Sequence, residues 1–370
     1  MGKHLVLAGG GHAHLMTLER LDEFVRRGHR VTVIGPAAYH YYSGMGPGML
    51  AGVYTPEEIR FAIRRVTEKK GGTFLCDAVE TIDPRGKTVR LTSGGQIAYD
   101  VLSCNLGSHV PRDLVTRDEG GVYPVKPIEQ LLEARQRLLD IGVRRPAGVV
   151  VAGGGPAAAE IAGNVHHLAL TSGINLPAIT VCAGRSFLGR FPESVRSRVY
   201  RSLTGRGIVI DESGFVTAIQ TGAVTLESGR TITADVIFVA PGVKPSPVAV
   251  ASGLPGGPDG GLLVNQYLQS PTHPEIFGGG DCIYFEPRPL DKVGVYAVRQ
   301  NPLLLHNLLA ALEGGPLRPF RPQDGYLLIL NLGDYRGVLK KGWLTFEGRA
   351  AFLLKDYIDR RFMRRFQAME

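Results

Sequence analysis

One signal occurs twice in this chain, and it constrains the fold more than any other. Residues 5–14 read LVLAGGGHAH and residues 149–158 read VVVAGGGPAA, each an apolar β-rich run that ends in three glycines and opens small-residue helical sequence. Two further pairs answer one another in the same order: VTVIGP at 31–36 with ITVCAG at 179–184, and DVLSCNLGSHVP at 100–111 with DVIFVAPGVKPS at 235–246. Repeats of this length are whole domains rather than solenoid units. The pattern therefore predicts an α/β chain built from two Rossmann-like, dinucleotide-binding domains. The 370 residues leave room for a smaller third piece.

A glycine turn between a strand and a helix brings backbone N–H groups and a helix N-terminus up to a pyrophosphate, with no side chain blocking the approach. The first copy reads Gly9-x-Gly11-x-x-His14, with a bulky histidine where a third glycine would let helix and strand pack closely. Its candidate cofactor contacts are Gly9, Gly10, Gly11, His12, Ala13 and His14. The second copy reads Gly153-x-Gly155-x-x-Ala158, within the accepted variation, and offers Gly153, Gly155 and Pro156. His12 and His14 would bind a metal only if a third ligand converged, so pyrophosphate contact or packing at the helix start is expected and no metal is predicted. The acidic residue that would hold a ribose hydroxyl after the second strand is missing from both copies, where Gly35-Pro36 and Ala183-Gly184 stand. Arg185 follows and suits a 2′-phosphate, which would favour NADPH; the alternative is a solvated surface arginine.

Lys plus Arg exceed Asp plus Glu by 42 to 34, giving +8, a balance that suits an anionic ligand, a membrane surface or nucleic acid. No nucleic-acid-binding motif accompanies it, so nucleic acid is not expected as a partner. No apolar run reaches the length of about 18 residues that a spanning helix needs, and the N-terminus lacks a signal-peptide pattern. Four cysteines without C-x-x-C spacing argue against a disulfide framework or a zinc ribbon. A cytoplasmic protein is expected, with at most peripheral contact at the inner face of the membrane.

At 274–282 the sequence PEIFGGGDC carries a Gly280-Asp281 pair near the end of the two folds. Here the chain resembles the FAD-dependent pyridine nucleotide-disulfide oxidoreductase superfamily. Through GGGPAAAEIAGNV, VYPVKPIEQLLEAR and KVGVYAVRQNPLLLHNL it resembles the branch of type II NADH:quinone dehydrogenases and sulfide:quinone oxidoreductases. Through YYSGMGPGMLAG and the tail LLKDYIDRRFMRRF it resembles still more the flavoprotein module fused to selenophosphate synthetase. The resemblance implies a discontinuous FAD domain at 1–115 and 246–315, an NAD(P)H-type domain at 116–245, and a C-terminal α+β segment at 316–370 with a hairpin and a terminal amphipathic helix. It implies FAD as cofactor and NADH or NADPH as co-substrate. Pro36, Tyr39, Val79, Asn105, Gly107, Gly280, Asp281 and Tyr296 would be further FAD contacts, and the helix after the GD pair would point its N-terminus at the flavin. Glu160 matches the glutamate that in quinone-reducing relatives faces the flavin and handles protons; a helix-capping carboxylate is the alternative. Lys126 would place a positive charge near the flavin, or else pair with Glu129 on the surface. Tyr39, His40, Tyr41 and Tyr42 form an aromatic cluster that is either near the flavin or ordinary packing.

Departures from that family pattern also carry information. HYYSGMGPGMLAG lacks the C-x4-C of disulfide reductases, which argues against that activity. Cys76 and Cys182 read as buried and inert, whereas Cys104 reads as a loop residue near the flavin and Cys282 follows Asp281. Where quinone reductases have A-Q-x-x-x-Q, this chain keeps Gln300 but has Val295. In the tail, Leu354, Ile358, Phe362 and Phe366 share an i, i+4 row with arginines elsewhere, so the helix either lies on a bilayer or packs on the flavin domain or a second copy in a homodimer. The expected function is passage of electrons from NAD(P)H through flavin to a quinone or other small acceptor. The alternatives are a sulfide- or selenide-oxidising flavoprotein using a cysteine near the flavin, and a non-catalytic FAD-binding accessory protein of selenium metabolism.

Overall fold

The computed structural model describes residues 2–370. The apolar run after each repeat's start is a short strand buried on both faces, as parallel sheets covered by helices require. His4–Ala8 lies between Arg30–Gly35 and Val101–Cys104, with Thr73–Cys76 outside the former and Ile276–Gly278 outside the latter, all parallel. The second sheet repeats that order: Gly148–Ala152 lies between Ala178–Cys182 and Val236–Val239, flanked by Val209–Asp211 and Val122–Pro124. One difference separates the copies. The outer strand beside the third repeat signal comes from late in the chain for the first sheet and from just before the repeat for the second. A small antiparallel sheet accompanies each: Val79–Asp83, Thr88–Leu91 and Gln96–Ala98 in the first, and a four-stranded one starting at Val115–Arg117 in the second.

The helix after the second glycine turn, Pro156–Ser172, has proline at its first turn, where no N–H is missed, and ends at Gly173 in the left-handed region. At its middle Gly163 lets another backbone in: a Cβ there would lie 2.1 Å from the Leu332 carbonyl oxygen. That backbone belongs to the C-terminal antiparallel sheet, Leu328–Asn331, Gly337–Lys341 and Leu344–Gly348, whose last two strands are the expected hairpin around Trp343. Its first turn is fastened to the same helix by Asp334, whose backbone N–H donates to His167 Nδ1 at 3.1 Å, while its carboxylate accepts from Arg206, outside that helix, at 2.9 Å.

The terminal helix, Arg349–Gln367, follows the hairpin and divides its i, i+4 row. Phe366 is buried and Phe362 half-buried against the first domain, whereas Leu354 and Ile358 are exposed. Packing therefore accounts for only half of the row. The segment after the GD pair also differs from expectation. A single 3-10 turn, Gly280–Cys282, leads into the strand Ile283–Phe285, and the helix begins only at Gly294.

Candidate functional site

The first glycine turn is built around Asn105. Gly9 is in the left-handed region (φ +99°), and a Cβ there would sit 2.2 Å from the Asn105 carbonyl oxygen. Added Cβ atoms at Gly11 and Gly280 would lie 2.9 and 2.8 Å from the Asn105 side chain, which thus stands between the two glycine segments. Its Nδ2 is buried without a partner, and the turn His12–His14 starts at Gly11 with no side-chain cap. Two glycine cradles, an uncapped turn and an unpaired amide donor fit an anionic, dinucleotide-type group. Gly10 packs on Ile63, and Gly107, also at positive φ, leads to Ser108. Gln300, the second position of the quinone-reductase pattern, is turned inward, where its Oε1 accepts from the Gly280 N–H at 2.7 Å.

His14 does not face this cradle. Its Nδ1 lies 2.6 Å from the Gly9 carbonyl and its Nε2 2.8 Å from Ser103 Oγ, and burial pushes its pKa down to about 4. The ring is a neutral tie beneath the turn, so packing replaces the expected pyrophosphate contact, while Ala13 is buried against Gly279 and Gly280. His12 points elsewhere, with Nδ1 3.1 Å from His40 Nε2 and its ring stacked on Phe362 at 5.9 Å.

At the end of the second strand Pro36 is exposed, and Tyr39 lies under the Arg60 guanidinium, 4.2 Å from its ring. Both Tyr39 and Arg60 line a surface cleft of about 530 Å³ with Ala62, Arg64 and Lys69. These cations are absent from the sequence analysis, although the run FAIRRV carries Arg64 and also Arg65, which lines the same cleft. Val79 is buried at the start of its strand and does not line the cleft. Cys76 is exposed beside Pro36, contrary to the expectation of burial.

Lys126 and Asp281 meet across the two domains. Lys126 Nζ donates to Asp281 Oδ2 at 3.0 Å and to Ser108 Oγ at 2.9 Å, and Ser108 Oγ donates to the same carboxylate oxygen at 2.7 Å. Among the described residues Lys126 forms no pair with Glu129. Tyr296, in the first turn of the helix Gly294–Glu313, is buried edge-on against Tyr326.

The second glycine turn is open. A Cβ at Gly153 would strike the Ala240 carbonyl oxygen at 2.0 Å, but one at Gly155 would meet nothing within 4 Å, and the helix beginning at Pro156 has no side-chain cap. The approach to this helix N-terminus is clear for a second pyrophosphate. Arg185 is 74% exposed, 3.5 Å from Glu227 and over the Phe215 ring. A 2′-phosphate there would compete with that carboxylate.

Glu160, one turn into the helix, is half-buried beside the tail. Burial pushes its carboxyl up to about 7, against the charge of Lys355 and the Asn331 N–H that donates to Oε1 at 2.8 Å. Lys355 donates to Asp359 at 2.6 Å and to the Gly44 carbonyl at 2.7 Å, and Tyr42 donates to the other Asp359 oxygen at 2.9 Å. The sequence offers Tyr42 as one of a cluster, but Lys355 and Asp359 are not singled out in the tail, where the apolar row, the arginines and the family likeness carry the argument. Their i, i+4 spacing was the available signal.

The thiols are placed differently. Cys104 ends its strand fully buried, rather than in a loop, and burial pushes its thiol well up; the same cause takes Cys282 to about 11. Cys282 Sγ lies 3.4 Å from the Cys104 carbonyl. Neither is an accessible thiolate. Among the described residues no cluster of three metal-ligating side chains occurs.

Residues 3–306 match the family model described as pyridine nucleotide-disulphide oxidoreductase. The chain is 24% identical over 396 residues to the type II NADH:quinone oxidoreductase of Staphylococcus saprophyticus, covering 97% of this chain and 94% of that protein. Its fold superposes on the sulfide:quinone oxidoreductase of Aquifex aeolicus with a TM-score of 0.81 at 21% identity, covering 100% of this chain and 92% of that one. It superposes on NDH2 of Plasmodium falciparum in complex with NADH with a TM-score of 0.80 at 14% identity, covering 100% and 97%. The duplicated sheets, the glycine cradles and the family match together make this chain a member of the pyridine nucleotide-disulphide oxidoreductase family.

Proposed function

We propose that the protein takes electrons from NADH or NADPH and delivers them to a quinone. The observation that carries this reading is Glu160, a half-buried carboxyl pushed to about 7 and grouped with Lys355, Asp359 and Tyr42. Quinone reduction consumes two protons, and a group that binds and releases protons near neutral pH suits their delivery. FAD, when bound, supplies the hydride and electron chemistry. The Gly9–Gly11 turn, Asn105 and Gly280 would hold its pyrophosphate, with Tyr39 toward its adenosine end. Lys126 and Asp281 would orient its middle portion, and Tyr296 would close one side. Gly153, Gly155 and Pro156 would admit the nicotinamide dinucleotide, with Arg185 at its adenosine end.

A lipid-dissolved acceptor also suits the tail. Leu353, Leu354, Tyr357 and Ile358 are exposed on its helix, and Trp343, 93% exposed, stands beside Leu344 at the hairpin tip with Lys340 and Lys341 on the adjoining strand. Apolar side chains fringed by cations support peripheral contact with an anionic bilayer. No helix among the described residues is long and apolar enough to cross a membrane.

The test is anaerobic addition of NADH, NADPH and sulfide separately to the FAD-loaded protein while the flavin absorbance is followed, then addition of a short-chain quinone. Bleaching by a nicotinamide and recovery with quinone are expected. Bleaching by sulfide alone, or by none of the three, would overturn the proposal.

A further inference from the structure

We propose that Asp359 is a positioning residue: together with Tyr42 and the Gly44 carbonyl it holds the Lys355 ammonium away from Glu160 and leaves that carboxyl free to exchange its proton. The inference rests on the reading of Glu160 as the group that supplies protons to the quinone. It starts from two stretches of the sequence, YYSGMGPGMLAG and LLKDYIDRRFMRRF, which the fold brings together. Lys355 Nζ donates to Asp359 Oδ2 at 2.6 Å, one turn along its own helix, and to the Gly44 carbonyl at 2.7 Å. Tyr42 donates to the remaining Asp359 oxygen at 2.9 Å. Burial pushes the Tyr42 phenol well above its ordinary value, so it stays a neutral donor. Gly44 lets one short segment supply both ties, since a Cβ there would lie 3.0 Å from the Tyr42 ring. Asp359 is buried, so water competes little for its oxygens.

Glu160 is the other carboxyl whose charge reaches Lys355, yet among the described residues the two form no ion pair: the ammonium bonds Asp359 and Gly44 instead. Asp356, also near Lys355, is engaged by Tyr54 and by Arg360, each at 2.9 Å, and Arg360 reaches on to Glu58 at 2.6 Å. Lys355 therefore has one anionic partner, and which carboxylate it takes decides what Glu160 can do. An ammonium bonded directly to Glu160 would hold it ionised at neutral pH, with no proton to give. Held off, the same ammonium still offsets the charge left when Glu160 gives its proton up. Burial pushes the Glu160 carboxyl up to about 7, with the charge of Lys355 as the largest opposing influence. Burial would lower the Lys355 ammonium, but Asp359 first and Glu160 second more than offset it, so the lysine stays charged.

The test titrates Glu160 in the full-length protein by infrared spectroscopy of its carboxyl band, assigned by its loss in E160Q, and needs neither nicotinamide nor quinone. D359L removes the acceptor at similar volume, and the Glu160 midpoint should fall by about two pH units as the freed ammonium pairs with it. D359E, which keeps the charge, should restore most of that fall. A crystal structure of D359L should show Lys355 Nζ bonded to Glu160. A folded D359L with an unmoved midpoint, or with the ammonium still on Gly44 and clear of Glu160, would overturn the positioning role, as would D359E behaving like D359L. Should D359L fail to fold, D359N, whose uncharged oxygen holds the ammonium more weakly, should move the midpoint in the same direction by about one pH unit, and no movement would overturn the role. In the FAD-loaded protein the alkaline limb of the pH profile for quinone-driven flavin reoxidation should shift down with the midpoint. A midpoint that falls while this profile stays in place upholds the positioning role and overturns the function proposed for Glu160.

Discussion

Substituting Gly163 by alanine tests whether the helix Pro156–Ser172 and the C-terminal sheet are held as closely as the chemistry at Glu160 requires. The added methyl carbon would lie 2.1 Å from the Leu332 carbonyl oxygen, about 1 Å inside ordinary contact, and the obstacle is backbone rather than a rotatable side chain. Relieving it by moving the sheet outward costs about 1–3 kcal/mol. The same movement stretches two bonds, Asn331 N–H to Glu160 at 2.8 Å and Asn164 Nδ2 to the Asn331 carbonyl at 3.0 Å, each contributing about 1 kcal/mol. The helix gains about 1 kcal/mol from replacing glycine by alanine. The balance is a destabilisation of roughly 2–4 kcal/mol, equivalent to a fall in Tm of roughly 3–5 °C for 370 residues. Circular dichroism and flavin fluorescence during heating measure it. Losing the Asn331 donor also raises the Glu160 carboxyl further, so the pH profile of quinone reduction moves to higher pH. A G163A protein as stable as wild type with an unmoved profile would refute the reasoning.

G155A is the contrasting case, since its methyl group meets no protein atom: stability should stay within about 0.5 kcal/mol of wild type while the KM for NADH rises at least tenfold. Equal KM values would remove Gly155 from the proposed site. Glu160 has a folded-state pKa of about 7 against an ordinary 4.5, so stability is present below pH 4.5 and falls as pH rises to about 7, by roughly 3 kcal/mol. E160Q should abolish that fall, as urea midpoints at pH 5 and 7.5 would register. Burial would raise the Asp334 carboxyl, but the adjacent His166 and His167 rings and the charge of Arg206 hold it well below its ordinary value. D334N should therefore cost about 3 kcal/mol at pH 7, a deficit that shrinks as the pH drops below the ordinary carboxylate range of about 4. Denaturant titrations of both proteins at pH 3.5 and 7 decide this.

Local signals read along the chain found much of this molecule. The strands at Leu5, Val31, Val101 and their counterparts were legible because a strand buried on both faces must be continuously apolar, and because glycine is needed where backbones touch, as at Gly9 and Gly153. For His14 the sequence left ligand contact and packing open, because its two partners, the Gly9 carbonyl and Ser103, are joined to it only by the sheet's packing. Gln300 looked like half of a quinone motif, yet it bonds backbone twenty residues earlier. The Lys355–Asp359 pair was visible as a helical pair, but nothing local indicates that its partners are Tyr42, Gly44 and Glu160, hundreds of residues away. Charges enclosed between domains are recognisable only once the domains are assembled.

The origin of the first sheet's outer strand bears on how the chain folds as it is made. Ile276–Gly278 completes a sheet whose other four strands emerge before residue 105, whereas the second sheet holds all five of its strands between Val122 and Val239. The inner domain can therefore close while the outer one still waits. During that interval Val101–Cys104 presents an unpaired parallel edge, and a growing chain with such an edge is exposed to wrong pairing. Any truncation before Ile276 makes that transient state permanent, so the nascent chain's most hazardous stretch lies in the outer domain although its sequence comes first.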